Sequence, residues 1–238
     1  MIFAIAVAGF LIGFGKAGIG GTIGPFVTVL VALTVPADDA IGLLLPMLIF
    51  ADGFAVAAHW QKWDTTILLR LLVAAAVGIA AASLVLSSIS EPLLQRIIAI
   101  AMLGFVAFYL WSKNPHSAAN KAQRHAWPAG IIAGITSTLA HLGGPPVMGY
   151  LMTTDLKPRP LVATSAGLFA AMNLLKIPAY FFADLFDVDL VAQTWWTWLA
   201  IPIGVATGRA LVDRIDRTLF DRITTVLLIG GALILLAT

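Results

Sequence analysis

Apolar and polar positions follow one another in long blocks along the chain rather than residue by residue. Long apolar segments cover about residues 39–60, 65–88, 93–112, 159–183, 192–212 and 219–237. An α-helix rises about 1.5 Å per residue, so about 20 residues cross a hydrocarbon core of about 30 Å. Each of these runs is therefore predicted to be a membrane-spanning helix.

Two other apolar regions, residues 2–34 and 127–154, are divided by glycine and proline. The first contains "GFGKAGIGGTIGP" and the second contains "GITSTLAHLGGPP". Because glycine and proline interrupt helices, each region is predicted to form two shorter helices that meet at a break. Halves of about 11 to 14 residues have the length expected of re-entrant elements, which enter the membrane and return on the same side.

The two halves of the chain correspond in order. At a constant spacing of 121 residues, Gly9, Gly13, Pro25, Asp52 and His59 match Gly130, Gly134, Pro146, Asn173 and Tyr180. Further on, the spacing becomes 126 residues, which relates "LLQRI" at 93–97 to "LFDRI" at 219–223. We interpret residues 1–112 as a first membrane repeat, residues 113–126 as a cytoplasmic linker and residues 127–238 as a second membrane repeat.

The basic residues decide between two topologies, since cytoplasmic loops are enriched in lysine and arginine. If each broken region crossed the membrane once, the basic linker would share a side with the acidic loop "ADLFDVD". If each broken region is re-entrant, eleven of the 14 basic residues are cytoplasmic, namely Lys62, Arg70, Lys113, Lys121, Arg124, Lys157, Arg159, Arg209, Arg214, Arg217 and Arg222. The second topology is favoured, and its three spans per repeat make the two repeats inverted. The predicted fold is an all-α polytopic membrane protein with two inverted repeats, each a glycine-broken re-entrant helical hairpin plus three transmembrane helices.

Composition agrees with a membrane location and narrows the chemistry. Hydrophobic residues make up 60% of the 238 residues and charged residues only 11%, whereas soluble domains carry about 25% charged residues. Cysteine is absent, which excludes disulfides, thiolate metal sites and a cysteine nucleophile. The chain also lacks HExxH, GxSxG and ATP-binding motifs. We therefore expect no enzyme activity, no cofactor, no metal site and no nucleic-acid partner.

The breaks are the first candidate for a binding site. A helix that begins inside the membrane exposes free amides and partial positive charge, which attract anions, and these amides must be buried in protein or line a cavity. The candidate backbone positions at the two breaks are Gly20, Gly21, Thr22, Gly143 and Gly144. Glycines in membrane helices also serve simply to let helices pack closely, and that alternative stays open.

Polar side chains beside the breaks extend this candidate site. Lys16 would add a full positive charge, and Ser137 and His141 would add hydroxyl and imidazole donors. Lys16 could instead extend its ammonium to the membrane surface if the break is shallow. His141 could equally be a buried histidine whose hydrogen bonds are satisfied within the protein.

Three polar residues also interrupt the later spans. Asp52 lies within "LIFADGFAV", its repeat counterpart is Asn173, and Lys176 follows one turn later in "AAMNLLKIP". Ionisable residues inside a span are costly and are functional candidates by default. Asn173 and Lys176 are candidates for substrate binding. Asp52 either forms a structural ion pair with Lys16 or Lys176, or takes up a proton and couples transport to pH.

The sequence resembles the sulfite exporter TauE/SafE family of bacterial and archaeal membrane proteins. The resemblance is carried by "GFGKAGIGGTIGPFVTVLVAL" and "PADDAIGLLLPMLIFAD" in the first half, and by "AGITSTLAHLGGPPVMGYLM" and "PRPLVATSAGLFAAMNLLKIPAY" in the second. It implies export of small sulfur oxyanions or organosulfonates such as sulfite or sulfoacetate. It also implies that Gly20, Gly21, Gly143 and Gly144 lie at the anion site.

These observations together predict a secondary transporter of a small oxyanion, working by alternating access, in a prokaryotic inner (cytoplasmic) membrane. A passive anion channel with the same architecture is the alternative. The expected partners are the small anion and the lipid bilayer. Whether the chain forms a homo-oligomer is left open by its sequence.

Overall fold

The computed structural model describes residues 1–18, 23–86, 88–90, 125–151 and 154–211, together with isolated positions between 92 and 107 and Ile229. Every regular element in these residues is helical. The helices are α1 (Ile2–Gly18), α2 (Gly24–Ala32), α3 (Ala37–Ala58), α4 (Thr65–Leu86), α5 (Ala126–Ala140), α6 (Gly144–Leu151), α7 (Pro158–Phe182), α8 (Val188–Thr194), a 3₁₀ segment (Trp195–Leu199) and α9 (Ala200–Leu211). Most of the predicted spans at 93–112 and 219–237, and most of the linker 113–126, lie outside the described residues.

Among the described residues, three helices are long and apolar enough to cross a membrane: Ala37–Ala58, Thr65–Leu86 and Pro160–Phe182. They coincide with the apolar runs predicted at 39–60, 65–88 and 159–183, so these predictions of long apolar helices are confirmed. The described part of the protein is therefore all-helical, with helices of the length and composition that suit a membrane protein.

Both broken regions consist of two helices, as predicted. In the first region α1 ends at Gly18 and α2 starts at Gly24, and in the second α5 ends at Ala140 and α6 starts at Gly144. Proline occupies the first turn of α2 and of α6, where its missing amide hydrogen breaks no helical bond. Proline therefore marks the start of the second helix in each region.

The run at 192–212 is not one continuous helix, and that prediction is wrong in detail. It comprises the end of α8, the 3₁₀ segment and α9. Pro202 has no amide hydrogen for the Trp198 carbonyl, and its ring crowds that carbonyl, which favours a change of helix type before this point. The Ala200 amide instead contacts the Thr197 and Trp198 carbonyls.

Glycines bring two pairs of helices into backbone contact. In the pair α1 and α9, a Cβ added to Gly13 would overlap the Ile201 carbonyl oxygen, and one added to Gly204 would overlap that of Phe10. Without a driving force from water exclusion, membrane helices associate through such close packing at small residues. Glycine is therefore required at these positions for the two helices to approach each other.

The pair α4 and α5 repeats the same geometry. Gly134 faces the Ala75 carbonyl oxygen, and Gly78 faces that of Ile131. Gly134 lies 121 residues after Gly13, and Ala75 lies 126 residues before Ile201, so the Gly134–Ala75 contact corresponds to the Gly13–Ile201 contact. The same two spacings relate the contact of Gly204 to that of Gly78. The spacings found in the sequence thus reappear as matching contacts between helices.

The relative directions of α1, α3 and α7 follow from contacts at two positions along each pair of helices. Gly9 lies beside Met47, and Lys16 reaches Asp52, so α1 runs parallel to α3. In contrast, Gly42 contacts Leu185, while Asp52 contacts residue 173, so α3 runs antiparallel to α7. Helices α3 and α7 therefore meet at the centre of the described structure in opposite directions.

The two ends of the bundle differ in the charges they carry. The start of α4 lies beside the start of α7, because the Thr164 hydroxyl accepts a bond from the Asp64 amide. Lys62 and Arg70 lie close to the start of α4 in the chain, and Lys157 directly precedes α7. The start of α3, which contains Asp38 and Asp39, lies beside the acidic loop after α7. The first end thus carries basic residues together with Asp64 and Asp155, and the second end carries acidic residues.

We predict that Gly13→Ala lowers stability, while Gly53→Ala is tolerated. The new methyl at Gly13 would overlap the Ile201 carbonyl, whereas a methyl at Gly53 meets nothing within 4 Å. Overpacking typically costs about 1–3 kcal/mol. Thermal unfolding of both variants in detergent should show a lower Tm for Gly13→Ala only. Equal Tm values would contradict the close packing of α1 on α9.

Candidate functional site

The second break is built around His141, which terminates α5. Its φ angle is 54°, in the left-handed region. The Leu142 amide donates to the Thr136 carbonyl oxygen at 3.1 Å, which closes the turn expected after a left-handed helix cap. Glycine is the usual residue there, and Gly20 is the repeat counterpart of His141 in the sequence. A histidine in this strained position places an imidazole inside the break.

Side chains from other helices cap the last carbonyls of α5. The Ser137 carbonyl accepts from Lys176 Nζ at 3.2 Å, and the Thr138 carbonyl accepts from the Tyr180 hydroxyl at 2.6 Å. The Ala140 carbonyl accepts from the Thr28 hydroxyl at 3.0 Å. Carbonyls at a helix end have no partner within their own helix. Donors on α7 and α2 therefore fix the position of this break.

Lys176 is fully buried and has neutral acceptors. Besides the Ser137 carbonyl, its Nζ contacts Ser137 Oγ and His141 Nδ1, each at 3.1 Å. His141 Nε2 lies 3.0 Å from the Ile41 carbonyl oxygen, which can only accept. His141 is accordingly assigned as the neutral tautomer with hydrogen on Nε2, and Nδ1 accepts from Lys176. None of the three acceptors of Lys176 carries a negative charge.

Lys16 and Asp52 form an ion pair inside the bundle. The second carboxylate oxygen, Asp52 Oδ2, accepts from Asn173 Nδ2 at 2.6 Å. This is the structural ion-pair alternative for Asp52, with Lys16 rather than Lys176 as its partner. Asp52 and Asn173 lie 121 residues apart, which is the spacing that relates the two halves in the sequence.

These residues form one polar cluster, buried between α1, α3, α5 and α7. We call it the polar cluster, and its members are Lys16, Asp52, Ser137, His141, Asn173 and Lys176. Each is less than a tenth exposed, and Lys176 is 0% exposed. With both lysines protonated, two positive charges face one negative charge. The polar cluster then carries a net charge of one positive unit within a bundle that excludes water.

Two glycines let other segments approach this cluster. A Cβ on Gly143 would lie 2.9 Å from Ser137 Cβ, and a Cβ on Gly24 would lie 2.7 Å from the His141 carbonyl oxygen. Gly143 therefore lets the chain fold back on Ser137 after the break. Gly24 brings the start of α2 against the same break.

The structure brings together most of the predicted side chains and fewer of the predicted backbone donors. All six residues of the polar cluster were predicted site residues, and Gly143 and Gly144 lie beside it in the break. Gly20, Gly21 and Thr22 lie outside the described residues. At the start of α6, Pro145 and Pro146 have no amide hydrogens, so this helix offers fewer donors than a typical N-terminus. Side chains therefore supply more of the hydrogen-bond donors at this break than helix amides do.

Two contributors were missed from the sequence. Tyr180 holds the end of α5, and its ring centroid lies 5.9 Å from Lys176 Nζ, within cation–π range. Its position one turn after Lys176, on the same face of α7 as Asn173, is a signal that could have identified it. Thr28 has no such signal, because a threonine in an apolar helix is common.

Within the part of the chain that the structure describes, no group of three or more histidine, aspartate or glutamate side chains is arranged to hold a metal ion. The polar groups of the cluster are instead mostly hydrogen-bond donors. Such an arrangement suits an anion better than a cation.

We predict that Asp52→Asn and Lys16→Met each destabilise the protein more than the double variant does. Either single change leaves a buried partner without its counterpart, which typically costs about 3–5 kcal/mol. The double change removes both charges. Unfolding by heat or denaturant in detergent gives the double-mutant cycle. Additive effects of the two changes would contradict a direct ion pair.

Comparison with known proteins gives a single family. The sequence matches the family described as "Sulfite exporter TauE/SafE" over residues 1–235. No curated protein matches the chain. No solved structure matches it either. The match covers both broken regions and every residue of the polar cluster.

Proposed function

The chain belongs to the sulfite exporter TauE/SafE family, and from that premise we propose that it is a secondary transporter that exports a small oxyanion. The family is one of membrane transporters for sulfite and related anions. Sulfite or an organosulfonate such as sulfoacetate is the proposed substrate. The polar cluster is the proposed binding site, between α1, α5 and the central helices α3 and α7.

The observation that carries this proposal is the burial of Lys176 without a negatively charged partner in direct contact. Its ammonium is 0% exposed and contacts only neutral acceptors, Ser137 and His141. The end of α5 supplies only about half a negative charge. Since an isolated charge in a membrane interior costs several kcal/mol, a bound anion is the natural counter-charge. Family membership supports the same assignment.

We further propose that the two halves are inverted repeats with re-entrant hairpins. Because α1 runs parallel to α3, α2 has to bring the chain back to the end from which α1 started. The matched contacts of Gly13 and Gly134, and the antiparallel packing of α3 on α7, support an inverted relationship. The basic end of the bundle then faces the cytoplasm of a prokaryotic cell.

This architecture supports a carrier. Inverted repeats with interrupted helices at a central site are typical of transporters in which one half rocks against the other. Asp52 and Asn173 are repeat counterparts and bond to each other at 2.6 Å, so the proposed motion would pivot about the polar cluster. Saturable uptake with counterflow in liposomes would support the carrier. Unitary currents in a planar bilayer would instead support the channel alternative.

We predict that sulfur oxyanions stabilise the purified protein against heat. A ligand that binds only the folded protein at 100 times its Kd adds about 2.7 kcal/mol of stability. The thermal-shift panel comprises sulfite, sulfate, thiosulfate and sulfoacetate, with zwitterionic taurine for comparison. At least one anion should raise the Tm of the native protein, and Lys176→Met should abolish that rise.

Lys62→Met is the matched control, because Lys62 is an exposed loop residue. It should keep the full anion-induced rise in Tm. If no anion stabilises the protein, or if only a neutral or cationic compound does, the proposed anion site is wrong.

We also predict that the linker and the C-terminus lie on opposite sides of the membrane. With re-entrant hairpins each repeat contributes three crossings, so a reporter in the linker 113–126 should be cytoplasmic and one after Thr238 extracytoplasmic. With full crossings each repeat would contribute four, and both reporters would lie on the same side. A pair of phosphatase and fluorescent-protein fusions at the two points separates these topologies.

A further inference from the structure

We propose that each anion crosses the membrane together with one proton, and that the nitrogen of Lys176 carries this proton. The inference rests on the anion transport proposed above and extends it by naming the coupled ion. It follows from counting the charges of the polar cluster in each state of occupancy.

Only two occupancies of the polar cluster are neutral. Lys16 and Asp52 cancel each other, which leaves the charge of Lys176. A bound monoanion cancels that charge, so the cluster with proton and anion is neutral. When the anion leaves, the cluster becomes neutral again only if Lys176 also loses its proton. The other two occupancies leave a net charge in the membrane interior, which costs several kcal/mol.

Lys176 is the group that can release the proton with the smallest change in structure. Its Nζ–H bond breaks, the electron pair stays on nitrogen and the proton passes to water on the side that is open. The neutral amine keeps two hydrogens, enough for Ser137 and for His141 Nδ1. Deprotonation of Lys16 would instead leave Asp52 as an uncompensated anion.

The surrounding charged and titratable groups also favour Lys176 as the residue that carries the proton. Asp52 on α3 holds Lys16 and Asn173 through its two oxygens, so neither oxygen is committed to Lys176. Lys16 on α1 repels the Lys176 charge at longer range, while Asp52 attracts it. His141 on α5 contacts Lys176 as a neutral ring, and Tyr180 on α7 presents its ring.

Coupling between the proton and the anion follows from the same requirement that the polar cluster be neutral. Binding of the anion favours the protonated amine, and protonation of the amine favours the anion, by the same factor in each direction. The carrier then changes its orientation either with both ligands or with neither. The transport step is electroneutral for a monoanion, and net export then requires an outward anion gradient that exceeds any inward proton gradient.

The test uses the full-length protein in liposomes that contain a pH-sensitive dye. Isethionate is the main probe, because this sulfonate is a monoanion with no proton to release near neutral pH, and radiolabelled sulfite is run in parallel. Inward isethionate flux should acidify the interior by one proton per anion and should not respond to a potassium–valinomycin potential. A pH gradient alone should drive uphill uptake.

Lys176→Arg separates coupling from binding. Arginine keeps its proton under all working conditions, so the empty carrier cannot become neutral. The ratio of net uptake to anion–anion exchange, in which the carrier always moves loaded, should fall by about tenfold or more in this variant. A merely structural role of Lys176 would reduce both rates together. Lys62→Arg is the control and should change neither.

The outcomes distinguish a failure of the proton coupling from a failure of the anion transport itself. The anion crosses alone if isethionate or sulfite enters without acidifying the interior and enters faster when the interior is positive. In that case the proposed proton coupling is wrong, while the proposed anion transport stands. Absence of both uptake and exchange for both anions would overturn the transport proposal and the coupling with it. If Lys176→Arg does not fold, the proton stoichiometry of the native protein decides the question.

Discussion

Charge buried in a medium of low dielectric is the constraint on which the centre of this protein depends. Two lysines and one aspartate lie between α1, α3, α5 and α7, and each is less than a tenth exposed. Asp52 neutralises Lys16 and binds Asn173 in the opposite half. Lys176 receives only carbonyl, hydroxyl and imidazole acceptors. The proposed affinity for anions follows from this imbalance.

The scaffold around the polar cluster is built from close packing of backbones. Gly13 and Gly204 join α1 to α9, and Gly134 and Gly78 join α4 to α5. These rigid pairs stand on either side of α3 and α7, which carry Asp52, Asn173 and Lys176. A carrier needs such rigid units, because a movement between them changes which side of the membrane reaches the site.

The sequence allowed much of this arrangement to be predicted, because periodic patterns report local structure. Apolar runs located the long helices α3, α4 and α7, and the 121-residue spacing related Asp52 to Asn173 before their contact was known. Three-dimensional pairing was harder to predict. The choice of Lys16 over Lys176 as the partner of Asp52 depends on helix placement, and the caps provided by Thr28 and Tyr180 depend on contacts between distant segments. The 3₁₀ segment before Pro202 was also missed, since hydropathy does not register a change in helix type.

The location of a bound anion tests the central claim most directly. Selenite is a heavier analogue of sulfite, and its selenium can be located by anomalous scattering in crystals of the purified protein. If the polar cluster binds the anion, a selenium peak should lie beside Lys176 Nζ, with a selenite oxygen at hydrogen-bonding distance, and should be lost in Lys176→Met. A peak only at the protein surface, or one that persists unchanged in the variant, would contradict it.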